Sequence, residues 1–185
     1  MPFTDDEVKK ILGAATPMTK LCIRLMLETG LRISDAVQFE PGKLIRGDHL
    51  WIYPFRVTKR RRLAAQRATF HEVFVSDRLK SAIDEAHDLW RSPNRPFMLR
   101  SVLAATYVGR DEMHEMDVPD CRPHRVRDSF AVSRLLAGVS IDDVSKLLGH
   151  SSVAITEAHY APWVPARSRR LEGIVAQSNE TTAGE

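Results

Sequence analysis

Helix start and stop signals recur along this chain, and they limit its possible folds more than any other feature of the sequence. Thr4 precedes three acidic residues and Thr16 precedes a proline, so each predicts a helix beginning at the next residue. Gly30 predicts the end of the second helix, and Gly138 and Gly149 predict the ends of two others near the carboxyl terminus. The signals indicate a mainly helical protein.

Only one region has the pattern of a β-sheet. Residues 50–53 and 71–75 are β-rich and flank a basic loop, which predicts an antiparallel pair with Lys59 to Arg62 near its tip. Residues 97–108 fit either a helix or a strand leading into one. The expected fold class is therefore mainly α with a small antiparallel β-sheet (α+β). The predicted helices cover about residues 5–14, 17–29, 31–39, 78–90, 123–137, 141–148, 155–160 and 165–177.

The charges are segregated, although the net charge is only +3. Residues 56–67 contain six basic residues and no acidic one, whereas residues 111–120 contain five acidic residues and no lysine or arginine. A locally positive surface of this kind is typical of a site for a polyanion. A solvated charged loop is the simpler explanation of the same pattern.

Several classes of protein are disfavoured by the sequence. No apolar run approaches the ~20 residues that span a bilayer, and the first residues are acidic, unlike a signal peptide. The two cysteines, Cys22 and Cys121, form neither a disulfide framework nor a zinc cluster. We therefore expect a soluble, cytoplasmic protein with a single domain, and no membrane partner.

Six residues at five places carry groups suited to chemistry, and each also has an ordinary structural explanation. An arginine near Gly30 could pair with Asp35, the hairpin lysine could be solvated, and a histidine and arginine three apart on one helix could form a polar face. A histidine after Gly149 could cap carbonyls, and a tyrosine before a proline could be half-buried. The residues are Arg32, Lys59, His124, Arg127, His150 and Tyr160.

Taken together, the four stretches of sequence that contain these residues resemble those of the tyrosine recombinases, also called the phage integrase family. TGLRISDA resembles the first arginine box, TK the hairpin lysine, PHRVRDSFAV the His-x-x-Arg box, and LLGHSSVAITEAHYAPW the Gly-His and tyrosine box. The four stretches occur in the family's order, and the family pattern as a whole spans about Thr4 to Trp163.

The resemblance implies a reaction for Tyr160. In this family a tyrosine attacks a DNA phosphodiester and forms a 3′-phosphotyrosyl link, which releases a 5′-hydroxyl; a hydroxyl from a partner strand later restores the backbone. A phenol, with an ordinary pKa of about 10, stays mostly protonated at neutral pH and needs a base or cationic surroundings.

The resemblance also implies roles for the other residues. Arg32 and Arg127 would hold the non-bridging oxygens, because a guanidinium donates two parallel hydrogen bonds. His124 and His150 would hydrogen-bond the phosphate or exchange protons with the nucleophile, and Lys59 would be the general acid for the leaving 5′-oxygen.

The implied partner is double-stranded DNA, with the protein acting as a homo-oligomer, a tetramer, on it. We expect no metal ion, no nucleotide and no other cofactor, because the cationic side chains supply the charge and the phosphotyrosine conserves the bond energy. His150 and His159 are too far apart in sequence for typical metal-ligand spacing. The expected DNA contacts are Arg60, Arg61, Arg62, Arg67 and His159.

The sequence differs from the family pattern in its amino-terminal part and in one spacing. The helical domain that precedes the catalytic domain in most members is expected to be absent, which leaves a catalytic domain at residues 1–164. Residues 165–185 are expected to form a tail helix and a frayed end, and the helix could pack on its own domain or on a neighbouring protomer. Tyr160 follows His150 by ten residues, where many relatives have nine.

Other functions stay open at this point. RLLAGVSIDDVSKLLGHSS also has the pattern of a helix-turn-helix, so a DNA-binding regulator without catalysis is the alternative from another class. A type IB topoisomerase would use similar chemistry to relax supercoils. An RNA-binding module is the least favoured, because no stacking-aromatic motif is present.

Overall fold

The computed structural model describes residues 1–56, 70–86, 88, 118, 122–160, 163, 172, 173 and 175. The chain divides into two compact units, Met1–Phe130 and Ala131–Glu185. Among the described residues, no helix combines the length and the apolar character needed to cross a bilayer.

Among the described residues helices predominate in both units, and a small sheet lies in the first. The elements are α1 (Asp5–Ala14), α2 (Pro17–Thr29), α3 (Ile33–Ala36), a 3₁₀ turn (Pro41–Lys43), β1 (Ile45–Arg46), β2 (Trp51–Arg56), β3 (Phe70–Val75), α4 (Asp77–Glu85), α5 (Pro123–Leu136), α6 (Ile141–Leu147) and α7 (Val153–Tyr160). The division between the units falls within α5. The expected fold class is confirmed.

The helix ends follow the signals in the sequence. Thr4 and Glu7 form a capping box at the start of α1, in which each side chain bonds the other's main-chain N–H. The hydroxyls of Thr16, Ser76 and Ser140 accept a main-chain N–H at the starts of α2, α4 and α6. The starts predicted from Thr4 and Thr16 are confirmed, and the helices predicted to begin at 78 and 141 begin at Asp77 and Ile141.

The sheet has the order β1-β2-β3 with antiparallel neighbours. Tyr53 and Val73 are register partners in β2 and β3, and both side chains are buried. The sequence analysis did not predict β1, which has only two residues. It also overestimated α3, because Arg32 is extended and the helix ends at Ala36. The undecided segment 97–108 lies outside the described residues.

Each unit has its own set of buried apolar side chains. In the first unit, α2 contributes Leu25 and Met26, and the Phe39 ring lies 4.3 Å from the Tyr53 ring between centroids. The buried residues of the second unit include Leu135, Val144, Leu148 and Thr156.

Candidate active site

The turn between α2 and α3 fixes the main chain that carries Arg32. Gly30 has a φ of 68°, in the left-handed region that glycine adopts without strain, and its N–H donates to the Met26 carbonyl at 2.8 Å. The buried Thr29 hydroxyl accepts the Leu31 N–H at 3.3 Å. Arg32 is then extended, with φ −69° and ψ 153°, and becomes the N-cap of α3. The turn is therefore held by hydrogen bonds on both sides of Gly30.

The Arg32 side chain is half-buried and makes no hydrogen bond or ion pair in the part of the chain that the structure describes. Pairing with Asp35, the ordinary explanation of this arginine, does not occur. Among the described residues, its guanidinium therefore has no bond that must break before it binds an anion.

Arg127 of α5 contacts the same turn. Its side chain is buried, with 5% of the residue exposed, and Nη1 donates to the carbonyl of Gly30. This bond joins residues 97 positions apart and brings the two arginine boxes together. A guanidinium has five N–H donors, so a bond to a carbonyl and bonds to a phosphate can coexist.

His124 lies in the first turn of α5, three residues before Arg127. Its side chain is exposed and, among the described residues, has no hydrogen-bond partner. The two residues therefore differ in environment: Arg127 is held inside the unit, whereas His124 faces solvent.

The second unit holds His150 at the junction of α6 and α7. Gly149 has a φ of 61°, and the His150 N–H donates to the Ser145 carbonyl at 3.0 Å. The His150 ring is half-buried, and its Nδ1 lies 2.8 Å from the Oγ1 of Thr156, which is fully buried. Main chain and side chain are thus both anchored.

Tyr160 is the last residue of α7 and is buried, with 4% of the residue exposed. The rings of His159 and Trp163 lie next to it, each with its centroid 6.3 Å from that of Tyr160. His159 itself is exposed.

The structure describes neither the predicted general acid nor the predicted basic loop. Lys59, Arg60, Arg61, Arg62 and Arg67 lie outside the described residues.

Two residues whose side chains make contacts near these candidates, Thr156 and Arg125, were not predicted by the sequence analysis. One is Thr156, whose signal would have been its position four residues before Tyr160 on one helix. The other is Arg125, the residue after His124. Its Nη2 lies 2.9 Å from both carboxylate oxygens of Glu7, and its Nε donates to the Met1 carbonyl at 2.8 Å.

The Arg125 contacts tie the start of the chain to α5. The Arg125 guanidinium also lies 4.2 Å from the centre of the Phe3 ring, and the Phe3 N–H donates to the Ser129 hydroxyl at 2.7 Å. The main-chain N–H of Thr4, followed by Arg125, lowers the pKa of Glu7 below its ordinary value of 4.5. We refer to Glu7, Arg125, Phe3 and Ser129 as the amino-terminal clasp.

Comparisons with known proteins agree with the predicted resemblance. The model of the phage integrase family matches residues 2–164. The chain is 29% identical over 173 residues to tyrosine recombinase XerA of Pyrococcus horikoshii, which covers 85% of this chain and 55% of that protein. It is 24% identical over 177 residues to XerA of Saccharolobus solfataricus, covering 95% and 57%. The chain thus spans a little over half the length of these relatives.

Solved structures share the fold. The catalytic domain of bacteriophage HP1 integrase gives a TM-score of 0.60 at 20% identity, covering 95% of this chain and 93% of that one. A XerA recombinase gives 0.61 at 22% identity, covering 85% and 57%. The Tn1549 transposon integrase, in complex with transposon right end DNA, gives 0.62 at 16% identity, covering 93% and 66%. The sequence boxes, the fold of a recombinase catalytic domain and the family match together show that this chain belongs to the phage integrase family.

Proposed function

We propose that this chain is the catalytic part of a site-specific DNA recombinase, which breaks and rejoins DNA strands through a covalent link to Tyr160. One observation carries most of the proposal: Arg127 bonds the turn that presents Arg32, while Arg32 keeps no internal partner among the described residues. Two guanidinium groups near one turn are suited to the two non-bridging oxygens of a phosphodiester.

The proposed step exchanges one ester bond for another. The Tyr160 oxygen bonds to phosphorus, the bond from phosphorus to the 5′-oxygen breaks, and its electron pair stays on that oxygen. The phenolic proton passes to a base, and the 5′-oxygen takes a proton from a general acid. Rejoining is the reverse step with a 5′-hydroxyl from the partner strand, so no oxidant, nucleotide or metal ion enters the balance.

Five side chains assist in this proposal. Arg32 and Arg127 bind the non-bridging oxygens and stabilise the negative charge of the transition state, a kind of electrostatic help that is often worth several kcal/mol. His124, exposed at the start of α5, and His150, held by Thr156, bond the phosphate or move the phenolic proton. Lys59 is assigned as the general acid on the family pattern.

The burial of Tyr160 adds a requirement to the mechanism. Because only 4% of the residue is exposed, DNA binding or assembly must open the region around α7 before attack. The proposed partner is double-stranded DNA, bound by Arg60, Arg61, Arg62, Arg67 and His159 and acted on by a homotetramer. A solved structure with the same fold, XerH bound to a palindromic difH substrate, supports a DNA partner. Since the substrate is cellular DNA, we place the protein in the cytoplasm.

The test traps the covalent intermediate. Duplex DNA of mixed sequence with 5′-bridging phosphorothiolate links is incubated with the chain without metal ions, and adducts are read on a denaturing gel. Sulfur leaves without needing a proton, and the released thiol rejoins poorly, so the adduct should accumulate even if Lys59 is poorly placed. We expect an adduct with the wild-type chain and none with Tyr160→Phe, which should keep its DNA affinity within a few-fold.

Other results would favour the alternatives. An adduct that persists in Tyr160→Phe would remove Tyr160 from its assigned role. DNA binding with no adduct, even after a relative's amino-terminal DNA-binding domain is fused to the chain, would favour a regulator without catalysis. Relaxation of supercoiled plasmid without a partner site would favour a topoisomerase.

A further inference from the structure

The imidazole of His150 has a defined partner that no part of the proposed reaction uses. Its Nδ1 lies 2.8 Å from Oγ1 of Thr156, and Thr156 is fully buried at 0% exposure. A buried hydroxyl is costly to leave without a hydrogen bond, so this contact is expected to persist in the folded chain.

The partner is a hydroxyl rather than a carboxylate or a carbonyl, and this difference matters for proton transfer. A threonine hydroxyl both donates and accepts, so it can donate to Nδ1 of the neutral ring and accept from Nδ1–H of the protonated ring. An acceptor-only partner would favour the protonated ring instead. Thr156 can therefore hold the ring in one orientation through a cycle in which Nε2 gains and loses a proton.

Thr156 also links His150 to the helix of the proposed nucleophile. Thr156 and Tyr160 are four residues apart in α7, hence on the same face, and both are buried. On the other side of the loop, the Ser145 carbonyl accepts the His150 N–H, and the Ser145 hydroxyl donates to the Ser152 carbonyl at 3.3 Å. The loop between α6 and α7 is thereby fastened at both ends.

We propose that Thr156 is a positioning residue: its hydroxyl donates to Nδ1 of the neutral His150 ring, which fixes the orientation of the ring and leaves the proton on Nε2, the nitrogen that serves the phosphate. This inference rests on the proposed function for its consequence in catalysis. Its physical core, the control of the ring by the hydroxyl, can be tested without DNA.

The experiment compares three variants of the full chain. Thr156→Val keeps the shape and removes the hydroxyl, whereas Thr156→Ser keeps the hydroxyl. Thr19→Val is the matched control, because Thr19 is also a buried helical threonine whose hydroxyl accepts a hydrogen bond, from Thr16 at 2.9 Å, but in the first unit. Folding is followed by thermal unfolding, and Thr156→Cys, with a weaker donor, replaces Thr156→Val if that variant does not fold.

The first measurement is the ¹⁵N spectrum of the His150 ring, assigned by its loss in His150→Ala. The neutral wild-type ring should be the Nε2-protonated tautomer. Thr156→Val should give a mixture of tautomers, whereas Thr156→Ser and Thr19→Val should leave the signals as in wild type. An unchanged His150 spectrum in Thr156→Val would overturn the proposal, whether or not the chain cleaves DNA.

The second measurement is the rate of adduct formation on the phosphorothiolate DNA. Thr156→Val should slow adduct formation by roughly tenfold and leave the DNA affinity unchanged. The comparable loss in metal sites, where a hydrogen-bond partner of a ligand histidine is removed, typically lowers metal affinity or activity 10–100-fold. Added to His150→Ala, Thr156→Val should slow the reaction no further, because the two residues act as a unit. A wild-type rate in Thr156→Val, or losses that multiply, would contradict the proposal. A wild-type chain that forms no adduct while its ring spectrum responds as expected would instead count against the proposed function.

Discussion

Arg127 and Arg32 are assigned the same chemical task but have different places in the folded protein. The buried Arg127 donates to the Gly30 carbonyl, so removing it leaves a main-chain acceptor without this donor. Arg32 has no such bond among the described residues. Arg127 therefore combines the proposed role in catalysis with a bond that stabilises the fold, whereas for Arg32 the described residues show only the setting for the proposed role.

The two alanine variants should show this difference. Arg127→Ala should lower the free energy of unfolding by about 1–3 kcal/mol, because a buried carbonyl loses its donor. Arg32→Ala should change it by no more than about 0.5 kcal/mol, as for most substitutions without a buried partner. Urea unfolding measures both, and the phosphorothiolate adduct should be lost in each. Equal stability losses would mean that the bond to Gly30 contributes nothing.

For single residues, the sequence predicts which ones belong to the candidate site better than it predicts the contacts that they make. The boxes identify Arg32, Arg127 and His150 as candidates because residue type and order are visible along the chain. The bond from Arg127 to Gly30 crosses 97 positions, and a carbonyl acceptor has no signature in the side-chain sequence. The contact between His150 and Thr156 joins residues only six positions apart, but it depends on a loop geometry that the spacing does not specify.

Among the elements, α1 and α5 are joined by the amino-terminal clasp. Only 11% of the Arg125 side chain and 16% of the Glu7 side chain are exposed, so their ion pair is less screened than the surface pairs. The clasp holds Arg125, which directly follows His124, and so restrains the first turn of α5.

Removing the charge of Glu7 should therefore reduce stability in a pH-dependent way. The pKa of Glu7 is lowered by folding, so its contribution is present above its unfolded pKa, near 4.5, and is lost as pH falls through the lower folded value. Glu7→Gln should cost roughly 1–2 kcal/mol at pH 7. The difference from wild type should shrink when urea unfolding is repeated below pH 4.5.

The matched control is Asp6→Asn. Asp6 pairs with Lys9 at 3.1 Å, but 85% of the Asp6 side chain is exposed, so its loss should stay within about 0.5 kcal/mol. A Glu7→Gln effect no larger than this control, or one that grows in acid, would contradict the role given to the clasp.

The start of a helix could be predicted where the preceding side chain caps its first main-chain N–H groups. Thr4, Ser76 and Ser140 do so, and the structure begins helices directly after them. β1 could not be predicted, because a two-residue strand has no period and exists only through its pairing with β2. The third helix was predicted too long at both ends, because Arg32 is extended and α3 ends at Ala36, before the buried Val37 and Phe39.

For the whole molecule, the distribution of charge matters more than its sum. The net charge of +3 is small, so strong binding to a polyanion must come from local concentrations of cations such as residues 56–67. The affinity of such a site should fall steeply with salt, since each neutralised phosphate releases counterions.

Replacing Arg60, Arg61 and Arg62 by alanine should flatten this salt dependence. Each lost phosphate contact lowers the slope of log K against log salt by about 0.9, so the slope should fall by up to about 3. The matched control removes three cations that pair with acids on the surface, in Lys9→Ala, Lys43→Ala and Lys146→Ala combined. Fluorescence titrations with duplex DNA measure both; equal slopes in the two variants would mean that the loop does not contact DNA.

The bond between Arg127 and Gly30 also bears on how such a protein can change over generations. A lineage that abandons the proposed reaction can replace the exposed His124 without losing a side-chain hydrogen bond among the described residues. It cannot discard Arg127 so freely, because the same side chain braces a turn of the fold. Descendants that keep the fold but lose the reaction should therefore retain Arg127 longest, because its structural role remains after its proposed catalytic role is lost.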